Sequence, residues 1–216
     1  MSLIEIVTKK CRDHGIRVLL MPTEEVLYPN TSDKWYLGYF IVDPEGETAV
    51  LCCAMLNPQW EEVLMHEFNH ALQWIEKSPA WDAPKLTTEE ALLYGVQPGQ
   101  ETLDVIHRWM EGHIEIPPEE LTGLVNRSIE VELDCEKRTA AMGLELYEDW
   151  QLYHHGEYVK LCNAYLRSYK YTEQTRSKCS YGAECVLAVM PPTFTLDYYA
   201  PLTETEKAAF AASLDS

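Results

Sequence analysis

The 216-residue sequence predicts an α+β fold, with a small, mainly antiparallel sheet in the first quarter and helices over most of the remainder. Two observations carry this prediction. Runs rich in β-branched and aromatic residues occupy 17–21, 35–42 and 47–55, punctuated by Pro22 and by Asp43-Pro44-Glu45-Gly46. After Asn57-Pro58 the apolar spacing changes to the helical period and stays there. There is no internal repeat, low-complexity tract or linker, so 1–216 is expected as one domain. Its parts are 1–56, mainly β; 57–147, the helices that carry the site; and 148–216, helical and irregular.

Taken in order, residues 3–13 read as a short helix ended by Gly15, and Arg17 to Met21 as a strand stopped by Pro22. Trp35 to Val42 and Glu47 to Met55 are the next two strands. Asn57 is the expected cap of a helix with Pro58 at its first position, and Leu64, Phe68, Ala71 and Ile75 mark its buried face. Residues 78–84 form a loop. Helices are expected at 87–95, 101–112, 118–147 and 151–169. The stretch 171–200 is expected to be irregular, and a short acidic helix at 203–213 ends the chain.

Hydrophobic residues make up 46% and charged residues 24%, which is enough apolar material for a packed core and argues against disorder. The 17 Lys+Arg against 35 Asp+Glu leave a net charge of −18. Such a surface repels phosphate backbones and anionic lipid, so neither nucleic acid nor membrane is an expected partner. No apolar run is long enough to span a bilayer, and the first ten residues lack the pattern of a signal peptide. Seven cysteines, with Cys52 and Cys53 adjacent, suit a reducing compartment, so a cytoplasmic location is expected.

Chemistry concentrates in His66-Glu67-Phe68-Asn69-His70, an H-E-x-x-H inside the helix after Asn57. Four residues is just over one turn, so both imidazoles leave one face and can share a metal ion. Glu67, beside His66, can take a proton from a water at that ion. A catalytic zinc site needs a third protein ligand. The extended pattern with Gly and a third His is absent after His70, where Ala71-Leu72-Gln73-Trp74 follows. The alternative source is the helix from Ser128 to Met142, where Glu130, Glu132, Asp134 and Glu136 crowd together and a Glu would complete a His2Glu set.

The pairing of H-E-x-x-H with a Glu on a later helix resembles the gluzincin branch of the zincin-like metallopeptidases. Strands followed by a zinc helix and a Glu helix are similar to the IrrE/ImmA-like group. The resemblance covers about residues 35–145 and rests on these two motifs. It implies a ligand Glu with a small residue at +3 and an acid or Asn at +4. Glu132 fits, with Cys135 as the small residue and Glu136 as the acid that orients a ligand histidine. Glu130 is the rival register, with Leu133 at the small position. The stretch between His70 and Glu132 is longer than that group's, so 78–118 reads as an insertion, and the last third has no counterpart.

The resemblance implies a zinc metallopeptidase acting on a peptide or protein, with Zn2+ held by His66, His70 and Glu132 and with Glu67 as general base. It also implies strand addition of an extended substrate along Glu47–Met55 or Trp35–Val42. The competing readings are a zincin-fold regulatory or binding module whose zinc is structural, and metal-dependent hydrolysis of a non-peptide amide. Cys162, Cys179 and Cys185 with His154-His155 match no standard zinc spacing and read as packing, while His107 and His113 around Trp109 read as exposed or core-satisfied histidines. The series Tyr147, Trp150, Tyr153, Tyr158, Tyr165, Tyr169 reads as helix packing. Tyr198, Tyr199, His154 and His155 are candidates for stabilising an oxyanion, with no spacing to choose among them.

Overall fold

The structure, a computed structural model, describes residues 2–29, 35–43, 48–78, 85–110, 113–150, 155–175, 184–187, 189–190, 195–196 and 201–212. The side chains of His107, Glu130, Glu132, Leu133, His155 and Cys185 lie outside the described set. The Pro44–Gly46 turn, the loop 79–84, Tyr153, His154, Cys179, Pro191-Pro192, Tyr198 and Tyr199 lie outside it too. The chain divides into two compact units, 1–78 with 139–155 and 79–138 with 156–216.

The first unit begins with α1 (Leu3–Asp13), which buries Leu3, Val7 and Cys11 at four-residue intervals. Ser2 and Glu5 close its first turn as a reciprocal capping box. Gly15, at φ 74°, turns the chain into β1 (Ile16–Met21). After β2 (Val26–Leu27) and β3 (Trp35–Tyr36) come β4 (Gly38–Val42) and β5 (Ala49–Ala54). The main sheet has the order β1-β5-β4, with β4 antiparallel to β5 and β1 parallel to it.

A mainly antiparallel sheet was therefore only half the answer. After β1 the chain makes the separate antiparallel ribbon β2-β3. It then runs down β4, so β5 returns in the direction of β1 and slots between β1 and β4. The run Trp35–Val42, expected as one strand, is split at Leu37 between two sheets. Central β5 is buried along nearly its whole length, which is why Ala-Val-Leu-Cys-Cys-Ala shows no alternation of polar and apolar residues. It is hydrogen-bonded on both sides, whereas β4 is an edge of the sheet among the described residues.

The long helix of this unit, α2, runs Trp60–Ile75. It starts later than the Asn57-Pro58 signal predicts. The Asn57 side chain accepts from the Gln59 backbone N–H at 2.8 Å, forming a turn ahead of the helix rather than a cap on it. The expected apolar stripe of Leu64, Phe68 and Ala71 is buried. Glu62, His66, Glu67, Asn69 and Gln73 are buried as well, so the helix is covered well beyond one face. Trp74 approaches Phe40 of β4, and Phe68 approaches Trp150 near the end of α5, with ring centroids 6.2 and 6.3 Å apart. The helix ends with Lys77 at φ 52° and Ser78 N–H donating to Gln73 C=O, a left-handed stop of the kind glycine usually makes.

The second unit is helical: α3 (Thr88–Tyr94), α4 (Thr102–Met110), the first two thirds of α5 (Pro118–Asp149), α6 (His155–Thr175), α7 (Glu184–Leu187) and α8 (Glu204–Ala212). Helix α6 runs six residues beyond its expected end at 169, into the stretch expected to be irregular. One apolar cluster joins Leu86, Ala91, Tyr94, Val105, Ile106, Ile116 and Leu124. Another joins Ala164, Tyr171, Val186, Met190, Leu202 and Phe210, with Tyr171 stacked on Phe210 at 4.9 Å. Thr87 and Glu90 cap α3, and Arg127 of α5 pairs with Glu90 at 2.8 Å.

Candidate metal centre

Helix α2 sets out its functional side chains by pitch alone. His66 and His70 are four residues apart, and their Nε2 atoms lie 3.1 Å from each other with the rings nearly perpendicular. Two ligands at Zn–N bonds of about 2.0–2.1 Å in a tetrahedron stand about 3.3 Å apart, so this spacing fits one shared ion. His66 is 4% and Glu67 8% exposed.

Helix α5 supplies the partners. Thr139 Oγ1 lies 3.2 Å from His70 Nδ1 and accepts a hydrogen bond from Gln73 Nε2. In the neutral tautomer that leaves His70 Nε2 bare, Nδ1 carries the hydrogen and donates it to this hydroxyl. Thr139 is fully buried. One turn earlier on the same helix, Glu136 brings a carboxylate oxygen to the histidines. His66, His70 and Glu136 each offer a ligand atom, and these atoms lie within 4.8 Å of one another. A buried His2Glu group of this kind can hold a metal ion.

Glu136, expected to orient a ligand histidine, is itself one of the three groups that could hold an ion, and the hydroxyl beside His70 Nδ1 is that of Thr139. The Glu132 and Glu130 side chains lie outside the described residues. Asp134 points outward, its side chain 77% exposed and 3.5 Å from Lys137. Cys135 is buried. Sequence reading passed over Thr139 because a threonine in mid-helix is commonplace. The one available signal was its place at +3 from Glu136 and one turn along the same face.

Around Glu67 the environment is thiol-rich. Burial pushes the Cys53 thiol up to about 12, and the Glu67 carboxylate adds to the shift. Cys52 is raised too, chiefly by burial. The described cysteine side chains, Cys11, Cys52, Cys53, Cys135 and Cys162, are all buried. Of the weaker candidates, Cys162, Tyr147 and Tyr158 are core residues and Trp109 packs against an apolar cluster, while His113 is exposed. None of these joins the histidine group.

Among the described residues, no helix is long and apolar enough to cross a membrane. No protein-family model, no curated protein and no solved structure matches this chain.

Proposed function

We propose that this protein is a zinc-dependent peptide hydrolase in which His66, His70 and Glu136 hold the ion and Glu67 is the general base. The observation that carries the reading is the pair of Nε2 atoms 3.1 Å apart, on a buried His66 and a partly buried His70, with the Glu136 carboxylate within reach of both. Two imidazoles and one carboxylate suit a borderline-soft divalent ion and leave a position open, as catalytic zinc sites do. Bound there, zinc supplies Lewis acidity, polarising a substrate carbonyl and making water a stronger acid near neutral pH.

The chain's own residues do the rest. Glu67 adjoins the ligand His66, and in this reading its carboxylate accepts a proton from the attacking water and passes it to the leaving amine. Thr139 and Gln73 hold the His70 ring in the orientation that turns Nε2 inward. Of the two runs expected to take an extended substrate, Trp35–Val42 remains, since its β4 is an edge of the sheet among the described residues. The run Glu47–Met55 is no longer a candidate for strand addition, because β5 is paired on both sides. The charge of −18 favours basic or neutral peptides over acidic ones.

The test begins with elemental analysis of reconstituted protein, which should show about one zinc per chain. None bound would sink the reading. Glu67→Gln should keep the zinc and the melting temperature while lowering casein or peptide-library hydrolysis by on the order of a hundredfold or more. Equal activity in both proteins would mean that Glu67 is not the base. Zinc bound with four protein ligands and no turnover would transfer the site to a structural or regulatory role.

A further inference from the structure

Gly38 opens β4 directly opposite Cys53 of β5. Opposed residues of an antiparallel pair project to the same face, here the face on which α2 lies. A Cβ built on Gly38 would stand 2.6 Å from Val63 Cγ1, 3.0 Å from the Cys52 carbonyl oxygen and 3.3 Å from Glu67 Cγ. Val63 and Glu67 are four residues apart, so one stripe of α2 is seated on this glycine. The backbone does not explain the residue: positive φ occurs at Gly15, Gly95 and Gly99, and Gly38 is not among them. What Gly38 provides is room. Its strand partner Cys53 is small and fully buried, and its Sγ rests 3.5 Å from the Trp60 carbonyl near the start of α2.

We propose that the Gly38–Cys53 pair forms a notch that fixes the stem of Glu67, making Gly38 a positioning residue for proton transfer. The proposal rests on the reading of Glu67 as the base. A glutamate has three rotatable side-chain bonds, and a carboxylate that wanders by about 1 Å loses much of its catalytic value. The three atoms nearest that missing side chain belong to Val63, Cys52 and Glu67, so a bare backbone here closes off one side of the Glu67 stem. The notch therefore bears directly on the base.

The single change Gly38→Ala collides with Val63 and risks misfolding, so the informative comparison is Gly38→Ala/Val63→Ala against Val63→Ala alone. The second change removes the 2.6 Å conflict and leaves the 3.0 Å approach to the Cys52 carbonyl and the 3.3 Å contact with Glu67. Crystal structures of both zinc-loaded variants should show the Glu67 carboxylate displaced by about 1 Å in the double variant only. Zinc stoichiometry should be equal in the two. On a peptide cleaved by the wild type, kcat should fall about ten- to a hundredfold in the double variant, with KM within a few-fold of Val63→Ala. An undisplaced Glu67, or a kcat within twofold of the Val63→Ala control, overturns the notch whatever the protein's activity. A displaced Glu67 in a protein whose hydrolysis is also indifferent to Glu67→Gln overturns the base reading instead.

Discussion

Helices α2 and α5 contribute to the same candidate centre, yet they present their residues in different ways. On α2 the spacing of His66 and His70 is a local quantity set by the pitch of one helix, and the geometry follows from the sequence distance. On α5 four acidic residues fall within seven positions. Which of them meets the histidines depends on how one helix lies along another, and the acidic residues' own spacing does not encode that. A motif within one helix is readable before folding; the register between two helices is a product of packing.

The largest expected effect lies in the register between the two helices. Glu136→Gln should weaken zinc affinity by at least about a hundredfold, since even residues that only orient a ligand cost ten- to a hundredfold when lost. Glu132→Gln should cost far less. Competition with a chelator of known affinity reads both, and the opposite ranking would return the third ligand to Glu132.

Thr139→Val comes next in size. It keeps the shape, but it removes the acceptor for Gln73 Nε2 and the hydroxyl beside His70 Nδ1. Zinc affinity should drop about tenfold or more, and the apoprotein should lose about 1–3 kcal/mol from the buried donor left unmet. Chemical denaturation of the metal-free protein separates the two effects. A normal affinity with lowered stability would make Thr139 a packing residue only.

Smaller effects belong to the ends of the elements. Lys77→Gly at the left-handed residue that closes α2 should stabilise the protein by about 1 kcal/mol or less, read from the denaturation midpoint. A loss of stability there would show that the Lys77 stem contributes packing.

The smallest effect concerns Glu90, whose carboxyl is held below its ordinary value of 4.5 chiefly by the Thr87 backbone N–H and to a lesser extent by Arg127 of α5. A depressed carboxyl contributes stability above its unfolded pKa, and that contribution is lost as pH falls through the folded value. Glu90→Gln should therefore narrow its deficit against wild type as the pH falls below about 4.5, where the wild-type carboxyl also becomes protonated. A constant gap in melting temperature from pH 7 to pH 3 would refute this.

Much of the fold was legible because its elements carry local signatures. The periodicity of Leu64, Phe68 and Ala71 marked α2, and α3 lies within the helix expected at 87–95. What sequence reading missed was of a different kind. The parallel pairing of β1 with β5 requires knowing that β2-β3 forms a sheet of its own, which two-residue strands do not announce. The delayed start of α2 turned on whether the Asn57 side chain capped a helix or closed a turn, and the same residue does either. At the site, His66, Glu67 and His70 stood out at once. Thr139 and Gly38 were invisible because their value lies in what they touch across long sequence separations.

The free thiols have a practical consequence. Cys11 and Cys53 are buried and protonated well past neutral pH, with pKa values pushed up to about 12, and the fully buried Cys162 is pushed in the same direction. An alkylating reagent attacks only the exposed thiolate, so each of these sulfurs reacts when its surroundings open and not before. Cys11 and Cys53 lie in the first unit and Cys162 in the second. Labelling rates resolved by peptide mass mapping would thus serve as separate clocks of local opening for the two halves. Repeating the measurement with and without zinc would show which half the ion holds shut.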